Sequence, residues 1–125
     1  MITERVRDRE AVIELEVSGP AGRPHVVEAV IDAGYNGELT VPASLVNALQ
    51  LPFAGYRRGM LADGSITVLD VHLATIAWHG EERDVLVLKA TGAALLGMAL
   101  LENNRLTIDV FEGGPVLVDQ ARRQS

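Results

Sequence analysis

The chain has 125 residues and no cysteine, and its 11 basic and 17 acidic side chains give a formal net charge of −6. That length fits one domain whose core needs neither disulfides nor a structural metal. The lack of cysteine excludes a thiol nucleophile and an iron–sulfur cluster. The negative charge argues against nucleic-acid binding, because it repels the phosphate backbone.

No segment is typical of a membrane or secreted protein. The longest uncharged, mostly apolar run covers residues 90–101, which is shorter than the ~20 residues of a transmembrane helix. Residues 1–10 are charged throughout and lack the apolar stretch of a secretory signal. We therefore expect a cytoplasmic protein without membrane contact.

Both ends of the chain are polar, and the region between them has no low-complexity tract or long linker. We expect residues 1–9 and residues 120–125 to be solvated tails, because their charged side chains offer little to bury. Residues 10–119 are then predicted to form the single folded domain.

Apolar and polar residues alternate with a period of two over most of this domain, which predicts β-strands. The predicted strands cover residues 11–17, 25–31, 66–76, 85–88, 105–111 and 116–119. In the third of these, the alternation places Asp70 and His72 on a solvated outer face. The Asp63-Gly64 pair before it predicts a hairpin turn.

Two short helices are predicted among the strands. Pro42 suits a first helical turn, and Leu45, Val46 and Leu49 follow it at three- and four-residue spacing. Residues 98–103 form the second candidate. The sequence therefore predicts an all-β domain with two short helices.

The two halves of the domain carry a weak internal repeat. Residues 30–34 (Val-Ile-Asp-Ala-Gly) end a strand pair and precede a short helix, and residues 94–97 (Ala-Leu-Leu-Gly) do the same. Each half has the order strand, hairpin, strand, apolar pair, glycine, helix. This is one supersecondary unit used twice, since two copies cannot form a solenoid.

Asp32 is the strongest candidate for chemistry. It follows an apolar strand and precedes Gly34 and Gly37, whose backbone freedom permits a sharp turn. An Asp-x-Gly triplet also occurs in ordinary turns, where the aspartate bonds its own backbone. The glycine motif at the matching place in the second half, Leu95-Leu96-Gly97, favours a functional site.

Other kinds of site have no support in the sequence. The three histidines lack metal-ligand spacing, and no phosphate-binding glycine loop is present. No serine lies in a Gly-x-Ser-x-Gly context. We therefore predict no metal and no cofactor.

Taken together, these motifs resemble the retropepsin-like (clan AA) aspartic proteases, the single-domain family that includes the retroviral enzymes and small bacterial members. The resemblance covers about residues 10–119. It rests on residues 30–42, a flap-like hairpin at residues 60–68, the motif Leu95-Leu96-Gly97, and closing segments at 106–110 and 113–118. It implies an acid-protease barrel that forms a homodimer.

The resemblance also implies roles for individual residues. Asp32 would be catalytic, and Ala33 and Gly34 would complete its loop. The hairpin tip would be the flap over the substrate, with the residues Leu61, Ala62, Asp63, Gly64 and Ser65. Leu95, Leu96 and Gly97 would form the second hydrophobic-glycine motif. The implied partners are a second copy of the chain and a polypeptide in extended conformation.

The chain departs from the family pattern at Ala33, where the family has threonine or serine. In the family that hydroxyl bonds across the dimer interface, and each lost hydrogen bond costs about 1 kcal/mol. Two losses would weaken the dimer by about tenfold or more. Three hypotheses follow: an endopeptidase using two Asp32 carboxylates, a weak or inactive dimer that binds peptides, and a β-domain in which Asp32 only forms a turn.

Overall fold

The computed structural model describes residues 1–60 and 62–122. It is an all-β fold with two short helices, as the sequence predicts. The strands are β1 (Ile2–Arg7), β2 (Glu10–Ser18), β3 (His25–Ile31), β4 (Leu39–Pro42), β5 (Phe53–Met60), β6 (Ile66–Trp78), β7 (Glu81–Ala90), β8 (Ala94–Leu96), β9 (Asn104–Ile108) and β10 (Pro115–Gln120), and the helices are α1 (Ala43–Ala48) and α2 (Met98–Leu101).

Six of the strands close into a barrel. The strand order is β5-β6-β7-β4-β8-β3-β2-β1-β10-β9, and β2 also pairs with β6. That extra pairing joins β6, β7, β4, β8, β3 and β2 into a ring. Strand β5 extends the barrel on one side, and β1, β10 and β9 extend it on the other.

The core fills the barrel and extends to β1, β10 and α2, and the period-two pattern of β2 shows how a strand contributes to it. Ile13, Leu15 and Val17 are buried, whereas Glu14 and Glu16 between them are exposed. Alternate residues of a strand lie on opposite faces, so this pattern gives β2 one apolar and one solvated face. The largest fully buried side chains are Ile13, Leu39, Ile76, Leu96 and Leu100, with Val17, Val41, Val85, Val87, Val116 and Val118.

The expectation of an N-terminal tail at residues 1–9 is wrong for Ile2–Arg7. These residues form β1, which lies between β2 and β10 and pairs antiparallel with both. Val6 is 3% exposed, and Ile2 packs against the core. Charged residues dominate the composition of this segment, but a strand needs only one apolar face to join a sheet.

The expectation of a solvated outer face at Asp70 and His72 is wrong for His72, which is buried. His72 lies on the same face of β6 as Ala74, Ile76 and Trp78, and all three are buried. Leu73, on the opposite face, is exposed. Val71, also on that opposite face, is buried, so β6 is covered on both faces at residues 71 and 72 and the strand has no solvated outer face at His72. Asp70 is half-buried and forms an ion pair with Lys89 at 3.2 Å.

The last predicted elements are present with shifted bounds. Helix α2 ends at Leu101, and Asn103 adopts a left-handed backbone conformation (φ 68°) that a helix cannot continue through. Strand β9 ends at Ile108, so the predicted strand at residues 105–111 is too long. Strand β10 includes Gln120, which the sequence had assigned to the C-terminal tail. The end of that predicted tail, at residues 123–125, lies outside the described residues.

The described residues contain no helix that is long and apolar enough to cross a membrane.

Candidate active site

Asp32 lies at the point where the two sequence repeats meet. Strands β3 and β8 are parallel neighbours, with Ile31 opposite Leu96. The Asp32 backbone N–H donates to the Leu96 carbonyl oxygen at 2.9 Å. Parallel strands end at the same edge of a sheet, so the two apolar-glycine motifs of the sequence lie side by side.

The carboxylate of Asp32 is oriented by its own loop. The Gly34 backbone N–H donates to Asp32 Oδ1 at 2.9 Å, and the Tyr35 N–H donates to the Asp32 carbonyl oxygen at 3.1 Å. Asp32 is half-buried, whereas Ala33 and Gly34 are exposed. This geometry is compatible with either a catalytic carboxylate or a turn residue, because both bond the following backbone.

The second motif is tied to the Asp32 loop by backbone hydrogen bonds. The Gly97 N–H donates to the Glu38 carbonyl at 2.9 Å, and the Met98 N–H donates to the Tyr35 carbonyl at 2.8 Å. A methyl group at Gly97 would overlap the Gly37 carbonyl oxygen and the Tyr35 ring. Position 97 therefore requires glycine because the loop passes so close to it.

Tyr35 is a site residue that the sequence analysis missed. Its ring lies against Gly37 and Gly97, where added side chains would overlap it. Its hydroxyl is buried and has no hydrogen-bond partner among the described residues. Burial raises the pKa of Tyr35 above its ordinary value, because the ionised phenolate would lose its hydration. The available signal was an aromatic residue directly after Asp-x-Gly and two positions before another glycine.

Asp32 opens onto a cavity of about 450 Å³. The cavity is lined by apolar side chains of several strands and by three charged residues, of which two lie where β1 turns into β2 and the third is Asp32. The lining residues are Val6, Arg9, Glu10, Ala11, Val30, Ile31, Asp32, Leu95, Ile108 and Val110. An extended apolar peptide segment or an apolar surface of another chain fits such a lining.

The predicted hairpin is present and projects from the barrel. Strand β5 pairs antiparallel with β6 from Phe53 to Met60. At its tip, Asp63 Oδ1 accepts hydrogen bonds from the Ser65 hydroxyl at 2.6 Å and the Ser65 N–H at 2.9 Å. Both bonds lower the pKa of Asp63, and the bond from the Ser65 hydroxyl has the larger effect. Gly64 has φ 85°, which this turn requires.

One face of this hairpin exposes large apolar side chains. Met60 is 76% exposed, and Ile66 and Val68 are 64% and 60% exposed. Met60 and Ile66 are directly opposite each other in the register. Ala62, Asp63, Gly64 and Ser65 are exposed at the tip, and the predicted flap residue Leu61 lies outside the described residues.

Two polar residues of the site region hold strand β4 in place and were also missed. Thr40 is buried, and its hydroxyl oxygen accepts the Leu95 N–H at 3.0 Å. The Glu38 carboxylate pairs with Arg83 at 3.2 Å and accepts the Leu86 N–H at 3.1 Å. Both sets of contacts join residues far apart in sequence, so no local sequence pattern could predict them.

Among residues 1–60 and 62–122, no group of three or more His, Asp or Glu side chains could hold a metal ion.

The fold has a counterpart among solved structures. The chain is similar to the EIAV protease in its complex with the inhibitor HBY-793, with a TM-score of 0.53, 15% sequence identity, and coverage of 76% of this chain and 88% of that one. The fold is retropepsin-like. No family model matches the chain, and no curated protein matches it. The fold implied by the sequence resemblance is thus confirmed, and at this identity the likeness concerns the fold alone.

Proposed function

We propose that this protein is an aspartic endopeptidase whose active site forms from two copies of the chain. The observation that carries the proposal is the position of Asp32. It follows β3 of a retropepsin-like barrel, lies beside the second glycine motif at Gly97, and lines a cavity together with apolar and charged side chains. Asp32 of each subunit would supply one of the two carboxylates.

Two carboxylates are needed because the chemistry has an acid and a base. One ionised aspartate takes a proton from water, whose oxygen attacks the peptide carbonyl carbon. The protonated aspartate donates its proton to the carbonyl oxygen, which gives a tetrahedral gem-diol. The base then passes the proton it received to the nitrogen and the C–N bond breaks, while one hydroxyl of the gem-diol returns a proton to the other aspartate and restores the shared-proton pair. Two carboxylates about 3 Å apart share one proton, since both cannot ionise. The pair titrates as a unit, which predicts a bell-shaped pH–rate profile.

A second copy of the chain is the proposed partner, because each chain offers one suitable aspartate. Among the described strands, β9 lies at the end of the sheet and pairs with β10 alone. Val110 and Phe111 follow β9 and are 73% and 62% exposed. Val110 also lines the Asp32 cavity. We place the dimer contact at the β9 edge and these two side chains, next to the Asp32 loop.

The proposed substrate is a polypeptide in extended conformation. It would lie in the groove as an added strand, which leaves its backbone hydrogen-bonded and its alternate side chains in pockets. The β5–β6 hairpin would close over it as a flap, with residues 62–65 at the tip. The exposed apolar residues Met60, Ile66 and Val68 support this role, because a bound apolar segment would cover them.

A second candidate function is peptide binding without useful turnover. Ala33 favours it, because the methyl group cannot make the cross-dimer hydrogen bond that the family resemblance assigns to this position. A loosened dimer would keep the groove but misalign the two carboxylates. Both candidates share the same fold, loop and hairpin, and they differ in the rate of hydrolysis.

The deciding experiment compares wild type with Asp32→Asn on a mixed peptide library, at high protein concentration and from mildly acidic to neutral pH. We expect cuts by the wild type and none by Asp32→Asn, because the amide can neither accept the water proton nor share one. Asp119→Asn, at an exposed aspartate of β10, is the matched control and should cut like the wild type.

Cleavage that survives in Asp32→Asn would overturn the proposal. A dimeric wild type that cuts nothing but binds library peptides would instead establish the peptide-binding function. A protein that stays monomeric at high concentration and does neither would leave Asp32 as a turn residue.

A further inference from the structure

We propose that the Tyr35 side chain is a positioning residue that holds the Asp32 loop from within its own chain, in place of the cross-dimer contact that Ala33 cannot make. The inference rests on the proposed function, because a positioning role presupposes that Asp32 acts in the reaction. It adds a residue for which neither the sequence motifs nor the family resemblance gives a role.

The ring of Tyr35 fills space that two glycines leave open. A side chain at Gly37 would overlap the Tyr35 ring and hydroxyl, and a methyl group at Gly97 would overlap the ring. The ring therefore lies between the Asp32 loop and the second glycine motif. Packing of this kind fixes one loop conformation, because protein interiors tolerate neither voids nor overlap.

The backbone of Tyr35 links the same two segments. Its N–H donates to the Asp32 carbonyl oxygen at 3.1 Å, and its own carbonyl oxygen accepts the Met98 N–H at 2.8 Å. One residue thus contacts the Asp32 loop and the start of α2. A shift of the ring would move both hydrogen bonds and, through them, the Asp32 carboxylate.

The ring, and not the hydroxyl, carries the proposed role. The hydroxyl oxygen is buried and has no hydrogen-bond partner among the described residues. A hydroxyl in that position contributes no bond that could orient Asp32. We therefore expect different effects on catalysis from Tyr35→Phe, which keeps the ring, and Tyr35→Ala, which removes it.

The test measures kcat, KM and the pH–rate profile of both variants against the best peptide from the library, under conditions where each is folded and dimeric. Tyr35→Phe should keep kcat within about twofold. Tyr35→Ala should lose kcat by about 10²-fold, the cost of a misplacement on the order of 1 Å. Its KM should change much less, because the groove and the flap hairpin are intact.

The pH–rate profile separates positioning from a loss of stability. If the two Asp32 carboxylates move apart, they repel each other less, and the pH range over which the pair holds a single shared proton becomes narrower. The bell-shaped pH–rate profile should therefore be narrower in Tyr35→Ala than in the wild type. Leu45→Ala is the matched control, since Leu45 packs against the core from α1, away from the site. It should lose stability and keep both kcat and the width of the bell.

A further variant and a further measurement test the positioning role when Tyr35→Ala cannot be assayed. If Tyr35→Ala does not fold, Tyr35→Leu retains apolar volume without the ring and takes its place. Amide hydrogen exchange at Gly34 and Met98 reports on the loop without any activity. Exchange at both should accelerate in the ring-less variant, whereas the Leu51 amide, which bonds Val46 at 3.1 Å, should not change.

Equal kcat and equal bell width in Tyr35→Ala and Leu45→Ala would overturn the positioning role. So would unchanged exchange at Gly34 and Met98. If the wild type cuts no peptide, the proposed endopeptidase fails, and the exchange measurement alone then decides whether Tyr35 holds the loop.

Discussion

Tyr35 is half-buried, its ring packs against Gly37 and Gly97, and its buried hydroxyl lacks a hydrogen-bond partner among the described residues. A buried polar group without a partner loses its hydration and gains nothing in return. Removing it while keeping the ring is therefore close to neutral at pH 7, or stabilising. Tyr35 is thus a residue whose packing and polarity act in opposite directions on stability.

We predict that Tyr35→Phe resists alkaline unfolding better than the wild type. The folded state raises the pKa of Tyr35 above the ordinary value of 10.0. The part of the free energy of unfolding that depends on a neutral Tyr35 is therefore fully present below the pKa that Tyr35 has in the unfolded chain. It is lost as the pH rises through the higher pKa of Tyr35 in the folded state. Urea unfolding at a series of pH values from neutral to above 10 measures the effect. Parallel stability curves for the two proteins would contradict it.

The residues of the site differ in how visible they are in the sequence. Asp32 and Gly97 were found because each follows an apolar pair within a repeated local order. Glu38 and Thr40 were not found, because their partners Arg83 and Leu95 are 45 and 55 positions away in the chain. A local pattern records which residues are adjacent, whereas these contacts depend on how β4, β7 and β8 are placed.

At the scale of elements, the β5–β6 hairpin ends in a turn that depends on one ionised carboxylate. Asp63 Oδ1 accepts both the Ser65 hydroxyl and the Ser65 N–H. Protonation of Asp63 would weaken both bonds, because a neutral carboxyl is a poorer acceptor. The turn is therefore sensitive to acid.

We predict that this turn remains intact through the mildly acidic range. Folding lowers the pKa of Asp63 below the ordinary value of 3.8. The stabilisation that the ionised Asp63 gives the folded state is therefore fully present above its unfolded-state pKa, and it is lost as the pH falls through the lower folded-state pKa. The Ser65 amide chemical shift, followed by NMR, should titrate with a midpoint below 3.8. Asp63→Asn should abolish that titration. A midpoint at or above 3.8 would show that the bonds do not form in solution.

Strand β1 is held in the sheet by a buried side chain and by backbone hydrogen bonds of the same residue. Val6 is 3% exposed, its N–H donates to the Gly114 carbonyl at 2.7 Å, and its own carbonyl accepts the Gly113 N–H at 2.9 Å. Val6→Ala should lower the free energy of unfolding by about 1–2 kcal/mol, because it removes buried methyl groups. Thr3→Ala, at an exposed position of the same strand, should change it by less than about 0.5 kcal/mol. Equal effects in urea unfolding would mean that β1 is a tail after all.

The proposed active site depends on the association of two chains, and the family resemblance implies that residue 33 contributes to the strength of that association. We predict that Ala33→Thr tightens the dimer by about tenfold or more, because it restores one hydrogen bond of about 1 kcal/mol on each side of the interface. Sedimentation velocity over a concentration series measures the dissociation constant, and specific activity at low concentration should rise in parallel.

Ala33→Val is the matched control, since valine has the shape of threonine without the hydroxyl. An equal gain from valine would attribute the effect to packing and not to a hydrogen bond. A monomer in all three proteins at every concentration would contradict the two-chain active site.

Local sequence patterns were sufficient to predict the all-β class, most of the strands, the hairpin and the place of Asp32 at the end of β3. These features follow from alternation, turn residues and short motifs, which act between neighbours in the chain. Three features depend on the packing of distant strands: β1 joins the sheet, His72 is buried, and the Tyr35 ring packs between Gly37 and Gly97. Each of these depends on which distant strand covers a given face, and the period of a sequence defines two faces without saying which one will be buried.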